Sequence, residues 1–194
     1  MEGTKIPEIT FMYREGDEAP EDGGCPIGGE FVKKTTTDLF GGKRVIVFSL
    51  PGAYTPTCST YQLPGFEEGY EDFKAQGIDE IYCSSVNDGF VMNAWASHLG
   101  IKNVKVIPDG NGDLCGSLGK FADFSAVGFG MRSKRFAVIL NDGVVEKFFE
   151  EPDATNDDPD PYGVSSPENV MDYLKSTKFK FLKGLKSEAV AETV

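Results

Sequence analysis

Val45-Ile46-Val47-Phe48-Ser49-Leu50-Pro51-Gly52-Ala53-Tyr54-Thr55-Pro56-Thr57-Cys58 is the stretch on which the fold turns. Its first six residues are apolar almost without interruption, the pattern of a buried strand in a parallel sheet. Pro51-Gly52 breaks the strand, and a polar loop leads into a helical stretch from about Cys58 to Gln76, closed by Gly77 at a C′ position. Thr57 is placed to act as N-cap, which sets Cys58 in the first helical turn. Pro64, inside the stretch, is expected to kink it.

Outward from there strands and helices alternate. Ile81 to Val86 reads as a second strand, and Asn87 or Asp88 caps a helix with the stripe Val91, Ala94, Trp95 and Leu99, ending at Gly100. A third strand covers Val104 to Ile107, a short helix Leu114 to Phe121, and a further strand Arg135 to Leu140. Asp142-Gly143 is a two-residue hairpin signal returning through Val144 to Phe149. Ser165 or Ser166 before Pro167 opens a last helix through Leu174. The order β-α-β-α-β-α-β-β-α specifies an α/β, thioredoxin-like fold with additions: a mixed central sheet flanked by helices.

The 194 residues, against about 150 per domain, make this a single domain. Residues 1–43, dense in Gly, Pro and charge around Glu15 to Glu30, form an irregular or hairpin-like lead-in with the first strands. Residues 44–176 are the core and 177–194 a tail. The acidic loop Asp153 to Asp160 is read as solvated surface. The tail, with Lys178, Lys180, Lys183 and Lys186 between Phe and Leu, is read as a packed or frayed terminal helix.

Composition narrows the chemistry. Nineteen Lys+Arg against 31 Asp+Glu leave a net charge of −12, which repels phosphate backbones and argues against nucleic-acid binding. No apolar run approaches the roughly 18 residues of a membrane helix. The opening MEGTKIPEIT lacks the basic and apolar regions of a secretory signal, so a reducing, cytoplasmic setting with free thiols is expected. The single histidine, His98, excludes multi-histidine metal sites and is read as a cation complementing a helix C-terminus. Cys25, Cys58, Cys83 and Cys115 contain no C-x-x-C pair. Asp109-Gly110-Asn111-Gly112-Asp113 imitates a calcium loop, but Leu114 and Lys120 stand where Gly and Glu are needed, so it is an ordinary turn. No metal or cofactor is expected.

Cys58 follows a buried strand and sits in a first helical turn, where unpaired N–H groups and the helix dipole favour thiolate, the reactive form. Position alone leaves a small buried hydrophobe as an equal reading. The surrounding residues add a resemblance. Pro51-x-x-x-Thr55-x-x-Cys58 at a strand-to-helix turn is similar to the active-site motif of peroxiredoxins. The likeness continues through Leu63-Pro64-Gly65-Phe66, Ser85-Val86-Asn87-Asp88, Phe90-Val91-Met92 and Asp109-Gly110-Asn111-Gly112 to Gly128-Phe129-Gly130-x-Arg132-Ser133-x-Arg135-Phe136. It spans about residues 40 to 150. The later blocks resemble the Prx5 (type II) subfamily, including the peroxiredoxin part of peroxiredoxin–glutaredoxin hybrids.

The resemblance implies a thiol peroxidase acting on hydrogen peroxide and alkyl hydroperoxides. Cys58 would form a sulfenic acid, Thr55 would hydrogen-bond thiolate and peroxide, Pro51 would shield the site, and Arg135 would hold both electrostatically. Thiolate alone is not enough. Lowering a thiol pKa from ~8.5 to ~6 raises the reactive fraction at pH 7 only about thirtyfold, so orientation and transition-state hydrogen bonds must supply the rest. Gln62 stands where the subfamily often has His, and it cannot titrate. Cys83 is either the resolving cysteine, as its place before Ser84 to Asp88 resembles plant type II members, or a thiol packed on a buried strand. Cys25 and Cys115 match no family cysteine. The resemblance further implies a reductant in trans, glutathione with glutaredoxin or else thioredoxin. It also implies a homodimer touching through the Gly128 to Ser133 loop. A peroxide sensor passing oxidation to a partner protein is the alternative, and sustained turnover separates the two.

Overall fold

In the computed structural model, which describes residues 1–18, 27–153 and 160–177, the lead-in is a hairpin. β1 (Thr10–Glu18) pairs antiparallel with β2 (Ile27–Thr35), and α1 (Thr36–Phe40) follows at once. Thr35 and Asp38 close a reciprocal capping box at its start. Cys25 and the tail from 178 lie outside the described residues, as does 154–159 of the acidic loop.

The core strand is β3 (Arg44–Ser49). Next come a single π-helical turn (Cys58–Gln62), α2 (Leu63–Glu68), α3 (Tyr70–Ala75), β4 (Glu80–Ser85), α4 (Gly89–His98), β5 (Lys105–Pro108) and α5 (Asp113–Ser117). A small ribbon, β6 (Phe121–Asp123) with β7 (Met131–Ser133), precedes β8 (Phe136–Asn141) and β9 (Val144–Glu150), and residues 167–177 form α6. The central sheet runs β5-β4-β3-β8-β9. Its first three strands are parallel, and β8 and β9 are antiparallel additions. Asp142 and Gly143 both adopt positive φ, 51° and 73°, as a type I′ hairpin turn requires.

Strand alternation divides the core in two. Ile46, Phe48, Cys83, Ala137 and Ile139 face α2, α3, α4 and α6, meeting Phe66, Phe73, Trp95, Val170 and Leu174. Val45, Val47, Val138 and Leu140 face the β1–β2 hairpin and α1. Phe66 stacks on Phe48 with ring centroids 4.3 Å apart. Gly65 is glycine because a Cβ there would lie 2.9 Å from Pro167 Cγ, so α2 and the start of α6 meet backbone to ring. Glu67 ties α2 to the α4–β5 loop, accepting from the amides of Lys102, Asn103 and Val104.

Several expected boundaries move. The stretch 58–76 is not one kinked helix. It begins at Pro56, widens into the π turn, in which Leu63 N–H reaches Cys58 O, and breaks at Gly69. Pro64 has no N–H to offer Thr60, and the ladder loosens just ahead of it instead of bending at it. Thr57 is itself helical and makes no side-chain cap; Thr55 precedes the first turn, its carbonyl accepting from Ser59 N–H. Asp88, not Asn87, caps α4 through Val91 N–H. The buried face of α4 is Gly89, Met92 and Trp95, with Ala94 exposed, because the hairpin crosses it at Gly89. The short helix stops at Ser117, since Gly119 turns left-handed and Phe121 starts β6.

Candidate active site

β3 delivers the chain to Pro51 and Gly52 at the edge of the core, and the loop reverses over Tyr54, held at φ 63°. Gly52 is boxed in: a Cβ there would sit 3.2 Å from Arg132 Nη1 and 3.4 Å from Thr55 Cγ2. Asn87 fastens the loop from beneath, with Oδ1 accepting from Ala53 N–H at 3.1 Å and Ser85 hydroxyl at 2.7 Å. Thr55 donates its hydroxyl to Gly52 O at 2.8 Å. A carbonyl can only accept, so the threonine proton is committed and its oxygen is left as an acceptor.

Cys58 sits two residues into the helix that starts at Pro56, and it is 0% exposed. Arg135 lies one residue before β8 instead of on it. It still precedes Ala137 and Ile139 by two and four residues, on the face that also buries Cys58. Arg135 Nη1 points at Cys58 Sγ from 3.4 Å and donates to Gln62 Oε1 at 2.7 Å. Arg135 Nη2 donates to Asp160 Oδ1 at 2.6 Å, and the guanidinium stands over the Tyr162 ring. Nε is buried and has no hydrogen-bond partner among the described residues. Burial works against the charge of Arg135, and the facing Cys58 sulfur and Asp160 carboxylate outweigh it, so Arg135 is held cationic.

Arg135 meets Cys58 directly and Pro51 lines the pocket beside Arg135, whereas the Thr55 hydroxyl, expected to bond the thiolate, gives its proton to Gly52 O. The geometry also recruits groups that the sequence did not flag. Gln62, noted only as a departure, bridges Arg135 to Ser165 through Nε2 at 3.2 Å. The π turn keeps Cys58 and Gln62, four residues apart, both buried. Ser165 is fixed by Glu151, which accepts from Ser165 N–H and hydroxyl and from Gly163 N–H. Trp95 Nε1 donates to Ser59 Oγ at 3.0 Å, pinning α4 to the residue after Cys58. Spacing carries no signal for Asp160, Glu151 or Ser165, since they arrive from about 90 or more residues away along the chain.

Cys83, on β4 opposite Phe48, is fully buried in the same cluster as Cys58, and burial pushes its thiol well up from its ordinary value. Cys115 is a buried residue of α5, and burial raises its thiol to about 11. His98 ends α4, its ring 5.9 Å from Tyr54. The Asp109 carboxylate accepts from the amides of Leu114 and Cys115, so this residue of the acidic turn serves as a helix cap.

The family model for redoxin matches residues 1–164. A peroxiredoxin of Rhizobium etli is 53% identical over 176 residues, covering 90% of this chain and 97% of that protein. The hybrid peroxiredoxin hyPrx5 of Haemophilus influenzae is 44% identical over 174 residues, covering 90% of this chain and 66% of that protein. Among solved structures, the Plasmodium falciparum antioxidant protein described as a 1-Cys peroxiredoxin is 37% identical, with a TM-score of 0.80, over 90% of this chain and 99% of that one. A reduced Prx3 of Vibrio vulnificus in complex with hydrogen peroxide is 32% identical, with a TM-score of 0.77, over 90% and 96%.

Proposed function

As this chain belongs to the redoxin family and is a Prx5-like peroxiredoxin, a thiol-dependent peroxidase, we propose that Cys58 is its peroxidatic nucleophile and that Arg135, Thr55 and Pro51 complete the site. The observation that carries this reading is the Arg135 Nη1 contact to Cys58 Sγ at 3.4 Å inside a buried turn. A permanent cation aimed at sulfur favours the thiolate without itself titrating.

The steps follow from the donors and acceptors present. The peroxide O–H donates to the Thr55 oxygen, whose own proton is held by Gly52 O. The Arg135 Nε–H, unpartnered among the described residues, donates to the peroxide oxygens as charge builds on the leaving one. The thiolate attacks the near oxygen, the S–O bond forms as the O–O bond breaks, and the departing oxygen leaves as water or an alcohol once protonated. Cys58 is then a sulfenic acid. Pro51, buried at the pocket that Arg135 lines and without an N–H, keeps water away.

Reduction needs two thiol equivalents. The first attacks the sulfenic sulfur and releases water, and the second breaks the resulting disulfide. These 194 residues hold no C-x-x-C pair of their own, and glutathione with glutaredoxin, or thioredoxin, is the thiol source that fits. A buried Cys83 with a raised thiol is a poor attacking group, which favours that external route over a Cys58–Cys83 disulfide. Free buried thiols suit a reducing compartment such as the cytoplasm. Val127, Phe129 and Met131 are exposed on the loop beside Arg132, an apolar face that fits a second copy of the chain.

NADPH-coupled turnover of hydrogen peroxide tests the proposal, run with glutaredoxin plus glutathione and with thioredoxin. Sustained turnover in one arm, lost in Cys58→Ser, is expected. A single oxidation of Cys58 with no turnover in either arm would overturn it in favour of the sensor.

A further inference from the structure

Beside Arg135 the surface dips into a pocket of about 140 Å³ walled by Pro51, Phe124, Pro152 and Pro161. Four carboxylates line it, Asp123, Glu151, Asp153 and Asp160, against two cations, Lys134 and Arg135. Each cation is matched: Lys134 pairs with Asp153 at 2.5 Å and Arg135 with Asp160 at 2.6 Å. Negative charge is therefore in excess. Hydrogen bonds from Lys134 and from Ser125 hold the Asp153 and Asp123 carboxyls below the usual carboxylate range, so both are ionised at neutral pH.

The inner wall is different in kind. Arg135 is 5% exposed and its buried Nε carries no partner among the described residues, a donor with a place for a ligand atom. Asp160 reaches it from the solvent side, with 44% of its side chain exposed. An organic hydroperoxide bearing its own carboxylate would meet two obstacles there. Its charge would be repelled by the excess of acids, and the Nη2 edge of Arg135, which would otherwise form a fork with that carboxylate, is already taken. A neutral peroxide meets neither.

We propose that Asp160 is a specificity-determining residue that, with the acidic rim, turns anionic hydroperoxides away and reserves Arg135 for neutral ones. The inference rests on Cys58 being the nucleophile that Arg135 serves. By occupying Nη2, Asp160 prevents a substrate carboxylate from drawing the guanidinium off the sulfur.

The test compares cumene hydroperoxide with its para-carboxylate, using the full chain and following oxidation of Cys58, with hydrogen peroxide as reference. Wild type should prefer the neutral compound by about tenfold. Asp160→Asn should raise the anionic-to-neutral rate ratio about fivefold, the order expected for one unit charge removed near a partly solvated site. Asp123→Asn, which leaves the Arg135 pair alone, should raise it about twofold. Salt at 0.5 M should speed the anionic compound in wild type and leave hydrogen peroxide unchanged, since screening acts only on a charged substrate. A ratio unmoved in Asp160→Asn, or both rates falling together, would overturn the proposal and reduce Asp160 to an anchor for Arg135. Failure of wild-type Cys58 to react with hydrogen peroxide would instead overturn the assignment of the nucleophile.

Discussion

Replacing Gln62 by Leu isolates the least expected part of the site. Leu and Gln have similar volumes, so the change opens little cavity and the loss is confined to two hydrogen bonds. One is the charge-assisted bond from Arg135 Nη1 at 2.7 Å, the other the bond to Ser165 Oγ at 3.2 Å. Both surviving partners stay buried, so the cost is about 3 kcal/mol. For a chain of this size that lowers Tm by about 6–12 °C. The kinetic effect has a separate origin. Arg135 keeps Asp160, but it loses the buried acceptor that holds Nη1 against Cys58, and a misplacement near 1 Å costs about a hundredfold in rate. Trp95 reports on this directly, being the single tryptophan, fully buried and hydrogen-bonded to Ser59. Stopped-flow fluorescence on mixing with hydrogen peroxide should show the oxidation step slowed about 30- to 100-fold. Gln62→His should restore most of the rate above pH ~6.5, where neutral imidazole can accept from Arg135, and lose it below. If Gln62→Leu melts early yet oxidises within threefold of wild type, the guanidinium is positioned without Gln62 and the reasoning fails.

Thr55→Val and Arg135→Met should each slow peroxide reduction about a hundredfold. Raising the pH to about 9 should not rescue either variant; full recovery there would mean that these residues act only by making thiolate. Cys83→Ser should keep turnover with glutaredoxin and glutathione, and loss of it in the coupled assay would make Cys83 the resolving thiol. Burial opposes the charge of Glu67, but amide donors from Val104, Lys102 and Asn103 outweigh it and hold its carboxyl below the ordinary 4.5. A group depressed in the folded state contributes stability above its unfolded pKa and loses it as pH falls through the folded value. Glu67→Gln should therefore melt about 3 °C below wild type at pH 7, with the gap closing in acid below about pH 4.5; a gap independent of pH would refute this.

The Val45 to Leu50 run and the Pro51-Gly52 break were legible because they are local: an unbroken apolar strand and a residue pair that ends it act within a few bonds. The same holds for Asp142-Gly143, where two positive φ angles suit this dipeptide. The β1–β2 hairpin was visible as an irregular or hairpin-like lead-in without strand bounds, since what holds it is burial of Phe11 and Tyr13 against the far face of the sheet. In the α4 stripe Trp95 and Leu99 do meet the core, but Ala94 is exposed and Gly89 and Met92 are buried in addition, because which face is buried depends on the hairpin that crosses it at Gly89.

The site divides likewise. The sequence alone determined a thiol at the start of a helix after a buried strand, with Pro51 and Thr55 in fixed spacing on the same turn, because these relations lie within eight residues. Only the tertiary structure decided that Arg135, 77 residues on, would aim Nη1 at that sulfur. The antiparallel pairing of β8 beside β3 brings the two together, with Phe136 level with Ser49. Only the tertiary structure decided, too, that Gln62, Asp160 and the Glu151–Ser165 pair would hold the guanidinium there. A guanidinium has five donors and a buried one must be met by acceptors; which acceptors meet it is set by packing, and no spacing along the chain encodes that.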